Sequence, residues 1–425
     1  MNSKCEHKLL KVVRCPYGDE NGIILMVVLI FMGILALVGA TATIITTTDT
    51  KIGANYKTSE KALYVAEAGA HEARERLRPS AVYPITDAHT DKTQWRAYIG
   101  TDPKSQKKGY DSSNAMHIRT ASLQTDMDYT VLITHQLDTI DPTKVLYWGD
   151  DDGDGTWTRN TTTGENIYLI TVYGNAEGST KTVQLEVTRV PTITVKGALY
   201  SGTSSNIQGN VTVDGNDSCG GAAMPGIATP QANNEADPDD PVSAPAGAVT
   251  GSEGVDPDVS YEVTPPINVQ SIADVLKKSA DFSYSVNSAT HAASTTPGPG
   301  DGWGTPDLAA VPPTCSSCNI VHYDTNGTSI SFSGNISGCG ILVVEGDLDI
   351  SGGFEWYGTV IVTGSFQFTG GAGAKNIMGA VISGASTDGD FVGGNVDIDY
   401  CSTATESQTQ NHALPILSWK EVLGG

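Results

Sequence analysis

The longest apolar run of the chain lies near its start. Residues 23–40 read IILMVVLIFMGILALVGA, which is 18 positions without a charged or strongly polar side chain. With residues 41–45 added, the run reaches the ~20 residues that a helix needs to cross a bilayer. It exceeds the apolar core of a secretory signal peptide, and no small-residue cleavage site follows it. The pattern therefore predicts a membrane anchor.

A second helical pattern follows the anchor. Residues 61–78, KALYVAEAGAHEARERLR, are rich in good helix formers. Small apolar residues recur there at i, i+3 and i+4 spacing, which predicts one small apolar face, and Pro79 ends the pattern. If residues 23–78 form one helix, it is about 84 Å long. The alternative is an anchor followed by a linker.

Strand patterns fill the next part of the chain. Residues 129–135, 166–172 and 182–190 alternate apolar and polar side chains and are rich in β-branched residues. They predict a β-rich domain over residues 79–190.

Residues 191–425 have a different pattern, in which short segments of alternating apolar residues are separated by glycine. Gly340, Gly358 and Gly379 open similar units at spacings of 18 and 21 residues. Such a period predicts stacked rungs of a β-solenoid, most simply a β-helix. An ordinary β-sandwich is the alternative.

An insertion at residues 220–313 interrupts the solenoid pattern. It is rich in Ala, Pro, Asp, Ser and Gly, which predicts a loop. One helix is expected inside it, over residues 271–280, with Ser271 as its N-cap. The predicted fold class is α+β: a long N-terminal helix, a small antiparallel β domain and a Gly-rich solenoid.

Charge and composition narrow the function. The chain carries 25 basic and 48 acidic residues, a net charge of −23, which argues against a nucleic-acid-binding protein. The acidity belongs to residues 79–425, which hold 15 basic and 40 acidic residues. The leader, residues 1–22, is basic by comparison, with Lys4, Lys8, Lys11 and Arg14. This bias predicts a cytoplasmic N-terminus, with the acidic head on the other side of the membrane.

The N-terminal residues resemble a known family. Asn21-Gly22, then Ile23-Ile24-Leu25, an apolar helix, Thr46-Thr47-Thr48, Gly53, Asn55 and Ala66-Glu67-Ala68-Gly69 are similar to the N-terminal region of PilX-type minor pilins. The resemblance covers roughly residues 14–78. It implies that the strands of residues 79–190 form an antiparallel sheet on the end of the helix, where the sheet would bury the small apolar face.

The resemblance implies a processing step and a set of partners. A prepilin peptidase of the bacterial inner membrane would cut after Gly22 and leave Ile23 as the new N-terminus. Other pilins and pilus assembly proteins would be the partners, and the head would serve pilus initiation, adhesion or aggregation at the pilus or cell surface. Type IV pilins usually carry a glutamate five residues into the mature chain, where this sequence has Val27, which is unlike a major repeating subunit.

A short acidic segment is a candidate metal site. Asp150, Asp152 and Asp154 alternate and precede Gly155, which matches the first half of a calcium-binding loop. The closing glutamate is replaced by Thr161. Calcium is the one possible cofactor that the sequence suggests, and a solvated acidic hairpin turn is the alternative.

The cysteines beyond the leader predict disulfides. There are five, and an exported compartment would permit two bridges and one thiol: Cys219, Cys315, Cys318, Cys339 and Cys401. The spacing leaves the pairing open. For the motif Cys315-Ser-Ser-Cys318, a structural disulfide is favoured over a redox or metal site. A zinc site with His322 would need a fourth ligand that the spacing does not supply.

The sequence contains no recognisable catalytic motif, so we expect a protein that is not an enzyme. Glu345, Asp347 and Asp349 alternate along one predicted strand, as a catalytic acidic row or as solvated side chains. The remaining alternatives to a pilin are a membrane-anchored β-helix adhesin and a carbohydrate-binding or carbohydrate-degrading protein.

Overall fold

The structure is a computed structural model. It describes residues 20–79, 81, 83–100, 115–119, 123, 126–190, 192–233, 240–287, 290–291, 298–307, 310, 313–369, 376–384, 389–406, 412 and 414–422. The predicted leader falls outside these residues except for its last three positions. The chain forms two units, Met1–Lys61 and Ala62–Gly425, which are described separately.

The helices are α1 (Glu20–Arg76), α2 (Val269–Leu276) and α3 (Ser402–Glu406). The strands, in chain order, are β1 (Arg96–Gly100), β2 (Ala115–Arg119), β3 (Met127–His135), β4 (Tyr147–Gly149), β5 (Thr158–Thr161), β6 (Glu165–Asn166), β7 (Tyr168–Ala176), β8 (Ser179–Val187), β9 (Leu199–Ser201), β10 (Ser205–Asp214), β11 (Ile227–Ala228), β12 (Val242–Ser243), β13 (Val249–Thr250), β14 (Val259–Ser260), β15 (Phe282–Asn287), β16 (Thr290–His291), β17 (Pro306–Asp307), β18 (Thr314–Cys315), β19 (Asn319–Ser333), β20 (Ile336–Ser351), β21 (Phe354–Val362), β22 (Phe366–Phe368), β23 (Asn376–Ser383), β24 (Asp390–Tyr400) and β25 (Ile416–Val422). Together they confirm the predicted α+β class.

In the first unit, α1 runs without a break through the threonine-rich stretch after the apolar run. Threonine is a poor helix former, but here its hydroxyl groups bond back to carbonyl oxygens one turn earlier. Thr43 Oγ1 donates to Gly39 O (2.8 Å) and Thr46 Oγ1 to Ala42 O (2.9 Å). These bonds satisfy the hydroxyls within the helix, so the segment remains compatible with apolar surroundings.

In the second unit, the last turns of α1 pack against an antiparallel sheet of order β2-β1-β3-β7-β8-β25. Ala62, Ala66, Ala70 and Ala73 are buried against it. Gly174 of β7 permits the close approach, because a Cβ there would lie 2.5 Å from both Ala62 O and Ala66 N. The small apolar face predicted from the sequence is therefore the face that meets the sheet.

The edge strand of that sheet comes from the far end of the chain. β25 pairs antiparallel with β8, with Trp419 opposite Leu185. The sequence predicts that all of residues 191–425 belong to the solenoid, whereas β25 belongs to the sheet of the small β domain. The pairing joins segments over 200 positions apart, and strand pattern gives no sign of such a partner.

The solenoid is built from parallel pairs whose offsets are the glycine spacings. Gly340 lies opposite Gly358, and Gly358 lies opposite Gly379. All three have positive φ, and a Cβ on Gly358 or Gly379 would lie 2.0 Å from the carbonyl oxygen of the glycine before it. Glycine is required here because successive rungs approach at the backbone.

The rungs do not follow the order of the chain. The first strands of the solenoid, β9 and β10, lie inside the sheet and not at its edges, and β11 to β14 then pair beyond them. Helix α2 follows in the chain and packs against the sheet. The chain then starts again from β15 and β19 and returns through β20 to β24, which pairs with β10. We call this β10–β24 contact the seam; it joins residues 185 positions apart.

The predicted insertion is only in part a loop. Its two-residue strands β11 to β14 pair parallel with β9, β10 and one another, as additional partial rungs. Its helix α2 begins at Val269 with Asn268 as N-cap, whose side chain accepts a hydrogen bond from Ser271 N (3.0 Å). The predicted cap at Ser271 was wrong because two polar residues three positions apart can each cap, and the apolar contacts of Val269 decide between them.

Candidate functional site

The first candidate site is the exposed part of α1. Within the described part of unit one, residues 23–61 are almost entirely exposed, and the apolar run from Ile23 has a mean hydropathy of 3.1 over its best window. One helix among the described residues is long and apolar enough to cross a membrane. Gly22 and Ile23 lie near its start, Val27 is 56% exposed, and Asn55 is exposed.

The Ala66-Glu67-Ala68-Gly69 motif lies where α1 meets the sheet. Ala66 and Gly69 face the sheet and are buried, while Glu67 and Ala68 are half-buried. A Cβ on Gly69 would lie 2.8 Å from Val172 Cγ1 and 2.9 Å from the Tyr129 ring. The motif therefore has a packing role at the helix–sheet contact.

The acidic loop connects β4 and β5, with one carboxyl oxygen of each of Asp150, Asp152 and Asp154 within 4.8 Å of the others. Asp150 also caps the loop, because its carboxylate accepts hydrogen bonds from Gly153 N and Gly155 N, both at 2.7 Å. A hydrogen bond with Asp150, together with burial and repulsion between the carboxylates, raises the pKa of Asp152. A proton is thus favoured where like charges meet.

Residues next to this loop could supply further cation ligands or charges. The Asp151 carboxylate accepts hydrogen bonds from Thr162 N and Thr163 N, and this residue lines the same cavity as Asp152 and Asp154. Thr161 and Arg159 also line this cavity, and the buried Thr161 Oγ1 has no hydrogen-bond partner among the described residues. Lys196 is close enough for the three carboxylates to oppose the lowering of its pKa by burial.

The structure contains two disulfides among the described cysteines. Cys219 is bonded to Cys401 (Cα–Cα 5.1 Å) and Cys315 to Cys339 (Cα–Cα 5.9 Å). The motif Cys315-Ser-Ser-Cys318 thus contributes Cys315 to a disulfide, and the partner Cys339 lies on β20. Cys318 Sγ lies nearby and donates to Cys315 O (3.4 Å).

The acidic row on β20 is largely committed to structural contacts. Glu345 contacts Lys277 Nζ (2.9 Å) and His322 Nε2 (3.0 Å). Burial acts to raise the pKa of Glu345, but hydrogen bonds from Lys277, His322 and Gln270 outweigh it and lower the pKa. Asp347 accepts from Ser365 N (2.7 Å), which links neighbouring rungs. Such contacts suit a structural wall better than a general acid.

Sequence reasoning missed a buried polar cluster beneath the small β domain. Asp87 Oδ2 accepts hydrogen bonds from His135 Nε2 (2.7 Å), Asn166 Nδ2 (3.1 Å) and Tyr168 OH (3.0 Å). Trp95 stacks on the His135 ring at 4.9 Å. These residues lie far apart in the sequence, and a histidine inside the apolar strand YTVLITH was the one available signal.

The electrostatics of this cluster follow from its geometry. Burial acts to raise the pKa of Asp87, but its hydrogen bond and charge interaction with His135 outweigh burial, so the pKa is lowered. His135 Nδ1 lies 2.7 Å from Lys92 O, and Nε2 lies 2.7 Å from Asp87 Oδ2 and 3.2 Å from Asn166 Nδ2. Both ring nitrogens are therefore held by contacts inside the cluster.

Comparison with known proteins bears on the N-terminal helix. Residues 21–70 match the family model described as PilX N-terminal. This match confirms a PilX-type pilin N-terminal region, and it supports a type IV pilin-like role with the apolar helix as the membrane anchor.

One solved structure is also similar, the crystal structure of competence-associated pilin ComZ from Thermus thermophilus. It is 12% identical, and the match covers 87% of this chain and 98% of that chain with a TM-score of 0.21. A score this low carries no argument about fold or function. None of the curated proteins matches the chain.

Proposed function

We propose that this protein is a minor pilin-like subunit of a type IV pilus or related pseudopilus and that it acts as a structural component. The observation that carries the proposal is the PilX N-terminal match at residues 21–70, which coincides with an exposed apolar helix. An apolar helix surface must be covered by lipid or by other helices. Other pilin helices would cover it in a fibre.

The finer steps belong to the same proposal. The prepilin is inserted in the bacterial inner membrane with its N-terminus in the cytoplasm, and prepilin peptidase cuts between Gly22 and Ile23. The exported head, residues 79–425, then serves initiation, adhesion or aggregation. Val27, which stands where most type IV pilins have glutamate, supports a place in the fibre that needs few copies.

Mass spectrometry of the N-terminus tests this proposal. Co-expression with a prepilin peptidase is expected to yield a chain that starts at Ile23, and Gly22→Val is expected to leave the leader attached. Gly33→Ala is the matched control, because a Cβ there meets nothing within 4 Å. An intact Met1 terminus in the presence of an active peptidase would favour an anchored adhesin instead.

We also propose that the loop of Asp150, Asp152 and Asp154 binds calcium. Three carboxylates have oxygens within 4.8 Å of one another, and Thr161, whose hydroxyl has no partner among the described residues, lines the same cavity. Calcium accepts six to eight oxygen ligands, so waters or carbonyls would complete the site.

A further inference from the structure

A cavity of about 450 Å³ opens beside the buried polar cluster in the small β domain. Its lining combines the segment that follows α1, strands β4, β6 and β7, and the residues just after β8. Six of its residues carry the argument: Asp87, Tyr147, Glu165, Asn166, Tyr168 and Arg189. The volume lies within the range of pockets that hold small ligands.

The inner part of the cavity is rigid. Tyr168 and Asn166 are 2% and 4% exposed, and both donate to the same Asp87 oxygen. Asn166 Nδ2 is also within 3.0 Å of Thr90 O, and Trp95 stacks on His135 behind it. Groups fixed in this way lose little freedom when a ligand binds, which favours affinity.

Charged groups of both signs line the cavity. The Asp87 carboxylate already accepts three hydrogen bonds, from His135, Asn166 and Tyr168. Arg189 lines the same cavity as Glu165, and its charge opposes the rise in the pKa of Glu165 that burial causes. An anionic ligand would meet two carboxylates, and a cationic ligand would meet a guanidinium. The cavity therefore suits a ligand without net charge.

The cavity also has hydrogen-bonding capacity to spare. In the part of the chain that the structure describes, the Glu165 carboxylate receives no side-chain or backbone hydrogen bond, although it is half-buried. A partly buried polar group without a partner costs free energy that a ligand donor could recover. An apolar ligand would leave the Glu165 carboxylate unsatisfied, whereas hydroxyl groups both donate and accept.

We propose that this cavity binds a neutral sugar residue of a glycan. The sugar hydroxyls would bond to Glu165, Arg189 and Asn166, with the ring of Tyr147 available to cover an apolar sugar face. The inference does not depend on pilus assembly: a head that binds no sugar would leave processing at Gly22 unaffected, and a chain that stays uncut could still bind sugar.

Saturation-transfer NMR on the full chain tests the proposal. The probes are glucose, galactose, mannose, N-acetylglucosamine and lactose, with glucuronate as a charged comparison. The detergent must not be a glycoside, because its headgroup would compete. We expect binding of at least one neutral probe and weaker binding of glucuronate.

Two variants locate the binding, Glu165→Gln and Arg189→Met. Each is expected to raise the dissociation constant of the neutral sugar that binds by about tenfold or more, which is the usual cost of losing a hydrogen bond to a charged group. Glu253→Gln, at an exposed position in the solenoid, is the matched control and should bind as the unmodified chain does. Melting curves establish that each variant is folded, and Glu165→Gln nearly preserves side-chain shape.

Two results would overturn the proposal. One is the absence of a transfer signal from every neutral probe with the unmodified chain. The other is a signal of equal strength in the folded Glu165→Gln and Arg189→Met variants, which would place the sugar elsewhere.

Discussion

Asp390 is a carboxyl group inside the wall of the solenoid, at the start of β24 and only 1% exposed. Its Oδ1 accepts hydrogen bonds from Ser383 Oγ (2.6 Å) and Phe366 N (2.9 Å), which join three neighbouring strands. Burial raises its pKa to about 6, against the opposing effect of these bonds. At neutral pH the fold therefore carries a buried negative charge, which costs stability.

We predict that Asp390→Asn stabilises the protein above pH 6. The folded pKa lies above the unfolded value, so the group's favourable contribution is complete below about pH 3.8 and is lost as pH rises through about 6. Asparagine keeps the Oδ1 acceptor without the charge. A shift of about two pKa units corresponds to ~3 kcal/mol, the upper limit of the expected gain at pH 8.

Chemical denaturation of the full chain at pH 4 and pH 8 measures this difference. The gain is expected at pH 8 and should nearly vanish at pH 4. Asp349→Asn, at a half-buried position on the outer side of the solenoid, is the control. A gain of equal size at both pH values would refute the electrostatic explanation.

Among the elements, the glycine-punctuated strands were predictable because their period is written in the sequence. The spacings of 18 and 21 residues return unchanged as the register offsets between β20, β21 and β23. A solenoid repeats one backbone geometry, so one residue type recurs wherever that geometry excludes a Cβ. The long helix was predictable for a different reason, because its apolar run is continuous in the sequence.

Other elements left no local signal. Strands β11 to β14 have two residues each, too few for any periodicity, and they exist because a neighbouring rung supplies hydrogen-bond partners. The Cys315–Cys339 bond joins residues 24 positions apart on β18 and β20, and the cysteine spacing left this pairing open. The Asp87 cluster likewise exists only after β3, β7 and the segment behind α1 are assembled.

The β4–β5 hairpin carries its own prediction. Adding calcium is expected to raise the melting temperature and to change tryptophan fluorescence, because Trp148 and Trp157 flank the acidic loop and lie 5.7 Å apart. Asp152→Ala and Asp154→Ala should abolish both effects. Asp349→Ala removes one acidic residue outside the loop and should preserve them; a response that survives in the Asp152 and Asp154 variants would rule out this site.

At the scale of the whole molecule, the seam between β10 and β24 holds two rung stacks together. Ten residue pairs, from Ser205 with Asp390 to Asp214 with Asp399, form it. Just beyond it, Cys219 is bonded to Cys401, and Ser218 N donates to Tyr400 O (2.9 Å). The disulfide therefore fixes the end of the seam.

We predict that removing this disulfide costs more stability than removing the other one. It closes a loop of 182 residues, against 24 for Cys315–Cys339. In the chain-entropy account these loops correspond to about 5 and about 3 kcal/mol. Denaturation of the Cys219→Ser/Cys401→Ser and Cys315→Ser/Cys339→Ser double variants compares them, and equal losses would show that loop length does not govern their contributions.

The seam also sets the order in which the head can be completed. A chain emerges from the ribosome starting at its N-terminus, so β10 appears long before the strand that will cover its edge. Contacts between such distant segments form slowly, and an uncovered strand edge invites pairing with other chains. A polypeptide that stops before residue 390 would keep that edge open and would lack Cys401 as a partner for Cys219. Completion of the head therefore waits for nearly the last part of the chain to arrive.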